Sequence, residues 1–139
     1  MISTLNRYET ETIEMRTAYA NTLLELAQNN PNIISLDADL MGSIGTGKLK
    51  DKIPNQLINC GIMEGHMVAC AAGLSLTGKI PFMHTFAQFA TRRAYDQLFI
   101  SGAYSHLNMK ILGSDAGVTA EHNGGTHMPF EDIGLMRLV

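Results

Sequence analysis

The fold of this chain is decided by the stretch Asn59-Cys60-Gly61-Ile62-Met63-Glu64-Gly65-His66. The short apolar run over residues 57–60 is typical of a buried strand, and Gly61 is typical of a turn. Glu64 then opens a helix rich in alanine and glycine that we predict over residues 64–77. A strand that leads through a glycine turn into a helix is the repeating unit of a parallel α/β sheet.

The same alternation extends on both sides of this stretch. The predicted elements are helices over residues 12–28, 64–77 and 88–104 and strands over residues 32–40, 57–60, 80–85 and 109–114, followed by a glycine-rich loop over residues 115–126. We therefore predict a three-layer α/β/α fold with a mostly parallel sheet. One domain, incomplete at its carboxyl end, is expected over residues 1–139, because the chain stops where a further strand should follow.

Composition excludes several classes of protein. A chain of 139 residues with 45% apolar content and a net charge of −3 has enough apolar material for one core, and it lacks the basic stripe of a nucleic-acid binder. No apolar stretch is long enough for a bilayer, and no secretory signal is recognisable, so we expect a soluble cytoplasmic protein without membrane contact. Cys60 and Cys70 lack CxxC spacing and are interpreted as reduced thiols.

Residues 42–48, Gly-Ser-Ile-Gly-Thr-Gly-Lys, match part of a phosphate-binding P-loop. The next residue of that motif must offer a hydroxyl to the metal, but here it is Leu49. Pro54 also interrupts the helix that should follow. We predict a glycine-rich turn and no nucleotide site.

Ligands of parallel sheets bind at the carboxyl ends of the strands, and polar residues are concentrated there in this chain. Each candidate also has a simpler interpretation. Glu64 suits a helix N-terminus through its charge alone. Phe86 and Phe89 lie on one helical face and could be core residues, and Arg92 could be a solvated helix arginine.

Five ordered segments together resemble the pyrimidine-binding domain of transketolases. They are residues 15–19 (Met-Arg-Thr-Ala-Tyr), 36–43 (Leu-Asp-Ala-Asp-Leu-Met-Gly-Ser), the stretch 59–66, residues 82–97 with their aromatic side chains, and 123–127 (Asn-Gly-Gly-Thr-His). The resemblance covers nearly the whole chain. It implies the thiamine-diphosphate-binding fold of this domain.

The resemblance also implies a cofactor site. Glu64 would be catalytic, hydrogen-bonding a ring nitrogen of the aminopyrimidine and favouring its imino tautomer. The residues implied in cofactor binding are Glu64, Phe86, Phe89, Arg92, Asp39 and Leu40. Flat aromatic faces such as those of Phe86 and Phe89 suit stacking against a ring. No metal ligand is expected in this chain, because Mg²⁺ would be held by the partner domain that binds the diphosphate.

The implied substrate is a sugar phosphate. Arg16 and Ser43 would bind the phosphate, Asn123 would contact substrate hydroxyls, and His127 would contact the substrate as a second catalytic residue. The chain departs from the family pattern at Gly65 and Met128, where glutamine is usual, and at Asn123, where aspartate is usual. These departures leave the substrate open.

The implied function is that of one component of a transketolase, a transferase that moves a two-carbon ketol unit between sugar phosphates. The implied partner is a diphosphate-binding domain or subunit in a homo- or hetero-oligomer, and the isolated chain is expected to be inactive. A component similar to deoxyxylulose-phosphate synthase or to the β component of 2-oxo-acid dehydrogenases is an alternative. A non-catalytic remnant or interaction module is another, favoured by Gly65, Asn123 and the early stop at Val139.

Overall fold

A computed structural model of the chain describes residues 11–139. Its centre is a sheet of four parallel strands in the order β2-β1-β3-β4. The strands are β1 (Ile33–Asp37), β2 (Leu57–Asn59), β3 (Ile80–Phe86) and β4 (Lys110–Ser114). The predicted parallel α/β sheet is confirmed. Each predicted strand is present, with ends that differ by a few residues.

Helices and helical turns fill the connections. The α-helices are α1 (Met15–Asn29), α2 (Met41–Ile44), α3 (Glu64–Leu76), α4 (Tyr95–Gln97) and α5 (Asp132–Met136). The 3-10 helices are Thr46–Leu49, Pro54–Gln56 and Glu121–Asn123, and the π-helical turns are Phe89–Arg93 and Leu98–Ala103. Within the described residues, no helix is both long and apolar enough to span a membrane.

The sheet is covered on both faces, which gives the predicted three layers. One core cluster joins the strands to α3 and to the segment around α4; its buried members are Ile34, Leu36, Ala38, Met67, Val68, Ala71, Met83, Ala94 and Leu98. The second cluster lies under α1 and consists of Leu23, Ala27, Ile33, Leu49 and Ile53. Alternation along β1 sends neighbouring side chains to opposite clusters, as the pleat of a strand requires.

Residues 41–49 differ from the predicted glycine-rich turn. They form α2 and a 3-10 helix, joined at Gly45, whose φ of 81° is left-handed. Ile44, Thr46 and Leu49 are fully buried, so apolar side chains hold this segment against the domain. The glycine count of the segment suggested a loop, but its buried aliphatic side chains decide the structure.

The predicted helix over residues 88–104 is interrupted. Two π-helical turns flank the short helix α4. The hydroxyl of Thr91 donates a hydrogen bond to the carbonyl oxygen of Ala87 at 2.8 Å, a contact that often bends a helix. A π-turn closes one residue later than an α-helical turn, which changes the residues that share a face.

Gly113 in β4 lies against the segment that follows β3. A Cβ atom at this position would be 2.8 Å from the Cα of Ala87 and 3.1 Å from its Cβ. Ala87 stands between Phe86 and Phe89, so the backbone of β4 fixes where these two rings lie.

We expect Gly113→Ala to destabilise the chain, because the new methyl group meets backbone atoms that cannot rotate away. The cost should be ~1–3 kcal/mol, the usual range for overpacking. Gly73→Ala is the matched control, since Gly73 lies in α3 with nothing within 4 Å of an added Cβ. This variant should gain up to about 1 kcal/mol from helix propensity. Urea unfolding of both variants checks the result, and equal stabilities would contradict it.

Candidate functional site

Glu64 begins α3 and is buried, with only 2% of its surface exposed. Its position at the helix N-terminus is favourable for a negative charge. The guanidinium of Arg93 approaches from the π-turn, with Nη1 2.9 Å from Oε1 of Glu64. Glu64 therefore combines a buried carboxylate with a charged partner that reaches in from the surface.

Three aromatic rings lie beside this pair. Phe86, at the end of β3, and Phe89, at the start of the π-turn, have ring centroids 6.0 Å apart. His127, from the loop after β4, meets both rings edge-on, with centroids 5.8 Å from Phe86 and 5.1 Å from Phe89. The Cζ of Arg93 lies 3.7 Å from the centroid of Phe89. The structure thus brings four predicted site residues into one group.

Arg93 is the member of this group that the sequence did not indicate. Helical spacing from Phe89 allows either Arg92 or Arg93 on the same face, but the wider π-turn favours Arg93. Arg92 instead donates from Nη1 to Oε1 of Glu131 at 2.8 Å. A cofactor contact of Arg92 stays a prediction.

Asp39 and Leu40 lie in the loop after β1, and two other residues hold them there. Asp39 has a positive φ of 64°, and its carboxylate accepts a hydrogen bond from Nδ2 of Asn59 at 2.9 Å. Oδ1 of Asn59 accepts in turn from the backbone N–H groups of Asp39 and Gly61. The N–H of Leu40 donates to Oδ1 of Asp37 at 2.5 Å. Asn59 thereby ties the loop after β1 to the turn before Glu64.

Arg16 and Ser43 are brought together by α1 and α2. Nη1 of Arg16 donates to the carbonyl oxygen of Ser43 at 3.3 Å, and Nε donates to Glu14 at 2.6 Å. The hydrogen bond and charge of Glu14 raise the pKa of the Arg16 guanidinium, and the hydrogen bond and charge of Arg16 lower the pKa of Glu14. Asn123 is exposed in the 3-10 helix Glu121–Asn123. Its contact with substrate stays a prediction.

A second pair of ionisable side chains is fully buried between the sheet and α1. Asp37 and His84 are register partners on β1 and β3, and Nε2 of His84 lies 2.7 Å from Oδ2 of Asp37. The hydroxyls of Tyr19 and Thr46 each lie 3.2 Å from a ring nitrogen of His84. Burial, followed by the charge of Asp37, raises the pKa of Tyr19, so this hydroxyl keeps its proton and can donate it to the ring. This network connects the sheet to α1 and to the helical turns after α2.

Gly65, one of the departures from the family pattern, lies beside Gln97. A Cβ atom there would lie 3.0 Å from Oε1 of Gln97. The side chain of Gln97 thus fills the space beside Gly65.

Both cysteines are free, and burial raises the pKa of the Cys60 thiol to about 11. No group of three or more His, Cys, Asp or Glu side chains suited to a metal ion is found within residues 11–139.

We expect His84→Leu to cost about 3–5 kcal/mol of unfolding free energy, because it leaves the charge of Asp37 buried and unpaired. Adding Asp37→Asn removes that charge and retains an oxygen for the N–H of Leu40. The double variant should therefore recover part of the loss. Ser35→Ala, a buried polar residue of the same strand, serves as the control and should change stability little. Denaturant unfolding of the parent, the two single variants and the double variant tests the network. A double variant whose loss of stability equals the sum of the two single losses would argue against it.

Comparison with known proteins places the chain in a family. Residues 11–139 match the family described as transketolase, pyrimidine binding domain. The 6-deoxy-6-sulfo-D-fructose transketolase subunit of Clostridium sp. (strain MSTE9) is 48% identical over 123 residues, which are 88% of this chain and 38% of that protein. The putative transketolase C-terminal section of Methanocaldococcus jannaschii is 41% identical over 125 residues, which are 90% of this chain and 40% of that protein.

Solved structures of transketolases are also similar to this chain. A split-gene transketolase in the form of an inactive beta4 tetramer has a TM-score of 0.76 and 44% identity, and the match covers 89% of this chain and 40% of that one. Transketolase from Campylobacter jejuni shares the fold with a TM-score of 0.80 at 23% identity, over 88% of this chain and 20% of its own. The chain thus spans about two fifths of the first two relatives, at 38% and 40% of their lengths. It belongs to the family of transketolase pyrimidine-binding domains.

Proposed function

We propose that this chain supplies the pyrimidine-side half of the cofactor site in a thiamine-diphosphate-dependent transketolase. The assembled enzyme would be a transferase that moves a two-carbon ketol unit between sugar phosphates. The observation that carries the proposal is the buried carboxylate of Glu64 beside the face of Phe89, with the guanidinium of Arg93 between them. Burial of a carboxylate is unfavourable for folding. The presence of a buried Glu64 next to aromatic rings therefore favours a functional role.

The chemistry of this site fits an aminopyrimidine ring. Any ligand between Glu64 and Phe89 needs a flat face for the ring and a nitrogen for the carboxylate, and the guanidinium of Arg93 meets both needs in this structure.

In the proposed mechanism each residue has a defined task. Glu64 shares a proton with a ring nitrogen, in a site whose low water content strengthens that hydrogen bond. Phe86 and Phe89 fix the plane of the ring and exclude water from the carboxylate. His127 stands edge-on to both phenylalanines, where its imidazole would form a hydrogen bond with substrate. When bound, thiamine diphosphate supplies the carbon nucleophile that attacks a ketose carbonyl.

We propose that Arg16 and Ser43 together select the substrate. A guanidinium binds the oxygens of phosphate through two parallel hydrogen bonds, and a sulfonate offers the same oxygens. One relative, 48% identical, is named for a sulfonated fructose. We therefore propose a ketose with a terminal anionic group, either phosphate or sulfonate. Asn123 would contact its hydroxyls without adding charge.

The rest of the proposed enzyme lies in another domain or subunit. It would bind the diphosphate through Mg²⁺ and complete an oligomer in the cytoplasm, and within the oligomer the present chain would form one domain. The M. jannaschii relative is named as a C-terminal section, and one similar structure is a split-gene transketolase. Both names are consistent with division of the enzyme between polypeptides. The competing proposal of a non-catalytic remnant is favoured by Gly65 and Asn123, and opposed by the buried Glu64.

We expect the isolated chain to bind no thiamine diphosphate without its partner. Calorimetric titration of the isolated chain with thiamine diphosphate and Mg²⁺ should give no heat above dilution, because the diphosphate and metal would have no ligands. Adding the diphosphate-binding subunit should produce saturable binding. Micromolar binding by the isolated chain would contradict the division of the site.

Glu64→Gln tests the central role, because it keeps the shape of the side chain and removes the acid. In the complex with the diphosphate-binding subunit, hydrogen–deuterium exchange at the thiazolium carbon should slow by about a hundredfold to ten-thousandfold. Loss of a helix-terminal charge alone would cost only ~0.3–1 kcal/mol. Glu25→Gln, on the exposed surface of α1, is the control and should exchange at the parent rate. An active parent whose Glu64→Gln variant exchanges equally fast would support the remnant instead.

A further inference from the structure

Arg93 lies where a stacked ring would have to lie. Its guanidinium is a flat plane that covers Phe89, with Cζ 3.7 Å from the ring centroid, and it also donates to Glu64 at 2.9 Å. These are the two contacts that the proposed function assigns to the aminopyrimidine. The same side chain makes both.

The two ligands cannot share the site. A distance of 3.7 Å between Cζ and the ring centroid is van der Waals contact, so no ring fits between the guanidinium and Phe89. Phe86 and His127 already pack against the same ring, at 6.0 and 5.1 Å between centroids. A ring that bonds Glu64 and stacks on Phe89 therefore requires Arg93 to move.

The burial of Glu64 explains why an arginine is useful at this position. Glu64 is 2% exposed, and a buried carboxylate without a donor is unfavourable. A guanidinium provides charge and N–H groups together, and its weak hydration lowers the cost of stacking on a ring. The free chain thus keeps Glu64 paired until another donor arrives.

Arg93 is also placed so that it can leave. It is the last residue of the π-turn Phe89–Arg93, and 46% of its side chain is exposed. A long side chain anchored at the surface can swing into solvent without moving the backbone that carries Phe89. Its half-exposed contacts are weakened by water, so displacement requires only part of the binding energy of a cofactor.

We propose that Arg93 is a place-holder for the aminopyrimidine: it occupies the Glu64–Phe89 site in the cofactor-free chain and is displaced when thiamine diphosphate binds. This inference rests on the proposed function. It adds a competition step, so that Arg93 sets the affinity for the cofactor by opposing it. Removing a residue that merely contacts the bound cofactor would lower the affinity, whereas removing Arg93 should raise it.

The test is a calorimetric titration of the complex with the diphosphate-binding subunit, with thiamine diphosphate as the probe. Arg93→Ala removes the competitor, so the dissociation constant should fall about tenfold. Arg93→Lys keeps the charge and loses the flat plane, and should lie between the parent and the alanine variant. Lys50→Ala removes an exposed positive charge next to the 3-10 helix on the α1 side of the sheet and should bind like the parent. In the free chain, Arg93→Ala should unfold at lower urea than Lys50→Ala, because Glu64 loses its partner.

The outcomes separate the two proposals. A parent complex that binds thiamine diphosphate, with an Arg93→Ala variant that binds equally or less tightly, overturns the place-holder and leaves the proposed function standing. If Arg93→Ala does not fold, Arg93→Lys replaces it. Tighter binding by this variant than by the parent supports the place-holder, and equal or weaker binding overturns it. A folded parent complex that binds no thiamine diphosphate removes the proposed function, and the place-holder falls with it.

Discussion

The carboxylate of Glu64 is removed from water at the beginning of α3, and much of the surrounding structure meets the electrostatic demand that this burial creates. The free N–H groups of the helix N-terminus favour its charge. Arg93 adds a direct partner, and Phe89 holds the guanidinium in place. The position of Phe89 depends in turn on the close approach of Gly113 to Ala87. A single buried charge is therefore linked to the packing of β4 against the segment after β3.

The opposite face of the sheet carries a second buried pair with a different task. Asp37 and His84 are fixed opposite each other by the parallel register of β1 and β3. Through the hydroxyls of Tyr19 and Thr46 they contact α1, which carries Arg16, and the 3-10 helix directly after α2. Helix α2 carries Ser43. Oδ1 of Asp37 also accepts the N–H of Leu40 in the loop after β1. The pair that supports Arg16 and Ser43 thus also holds the loop of Leu40, which is proposed to approach the cofactor.

The sequence allows the prediction of features that depend on local pattern. Apolar runs and glycine turns predicted all four strands, and Glu64, Phe86, Phe89 and His127 indeed lie together. The role of Arg93 depends on a π-turn, and neither periodicity nor composition indicates where a helix will widen by one residue. The buried pair of Asp37 and His84 depends on strand register, which only the assembled sheet defines. The helical structure of residues 41–49 depends on burial of Ile44 and Leu49, and the glycines of that segment conceal it.

The most direct measurement is a crystal structure of this chain in complex with its diphosphate-binding subunit, thiamine diphosphate and Mg²⁺. The account predicts an aminopyrimidine ring stacked on Phe89, with a ring nitrogen within hydrogen-bond distance of Glu64. It also predicts that the guanidinium of Arg93 has withdrawn toward solvent. A structure in which the cofactor is bound while its pyrimidine lies elsewhere, with Arg93 still on Glu64, would contradict the account.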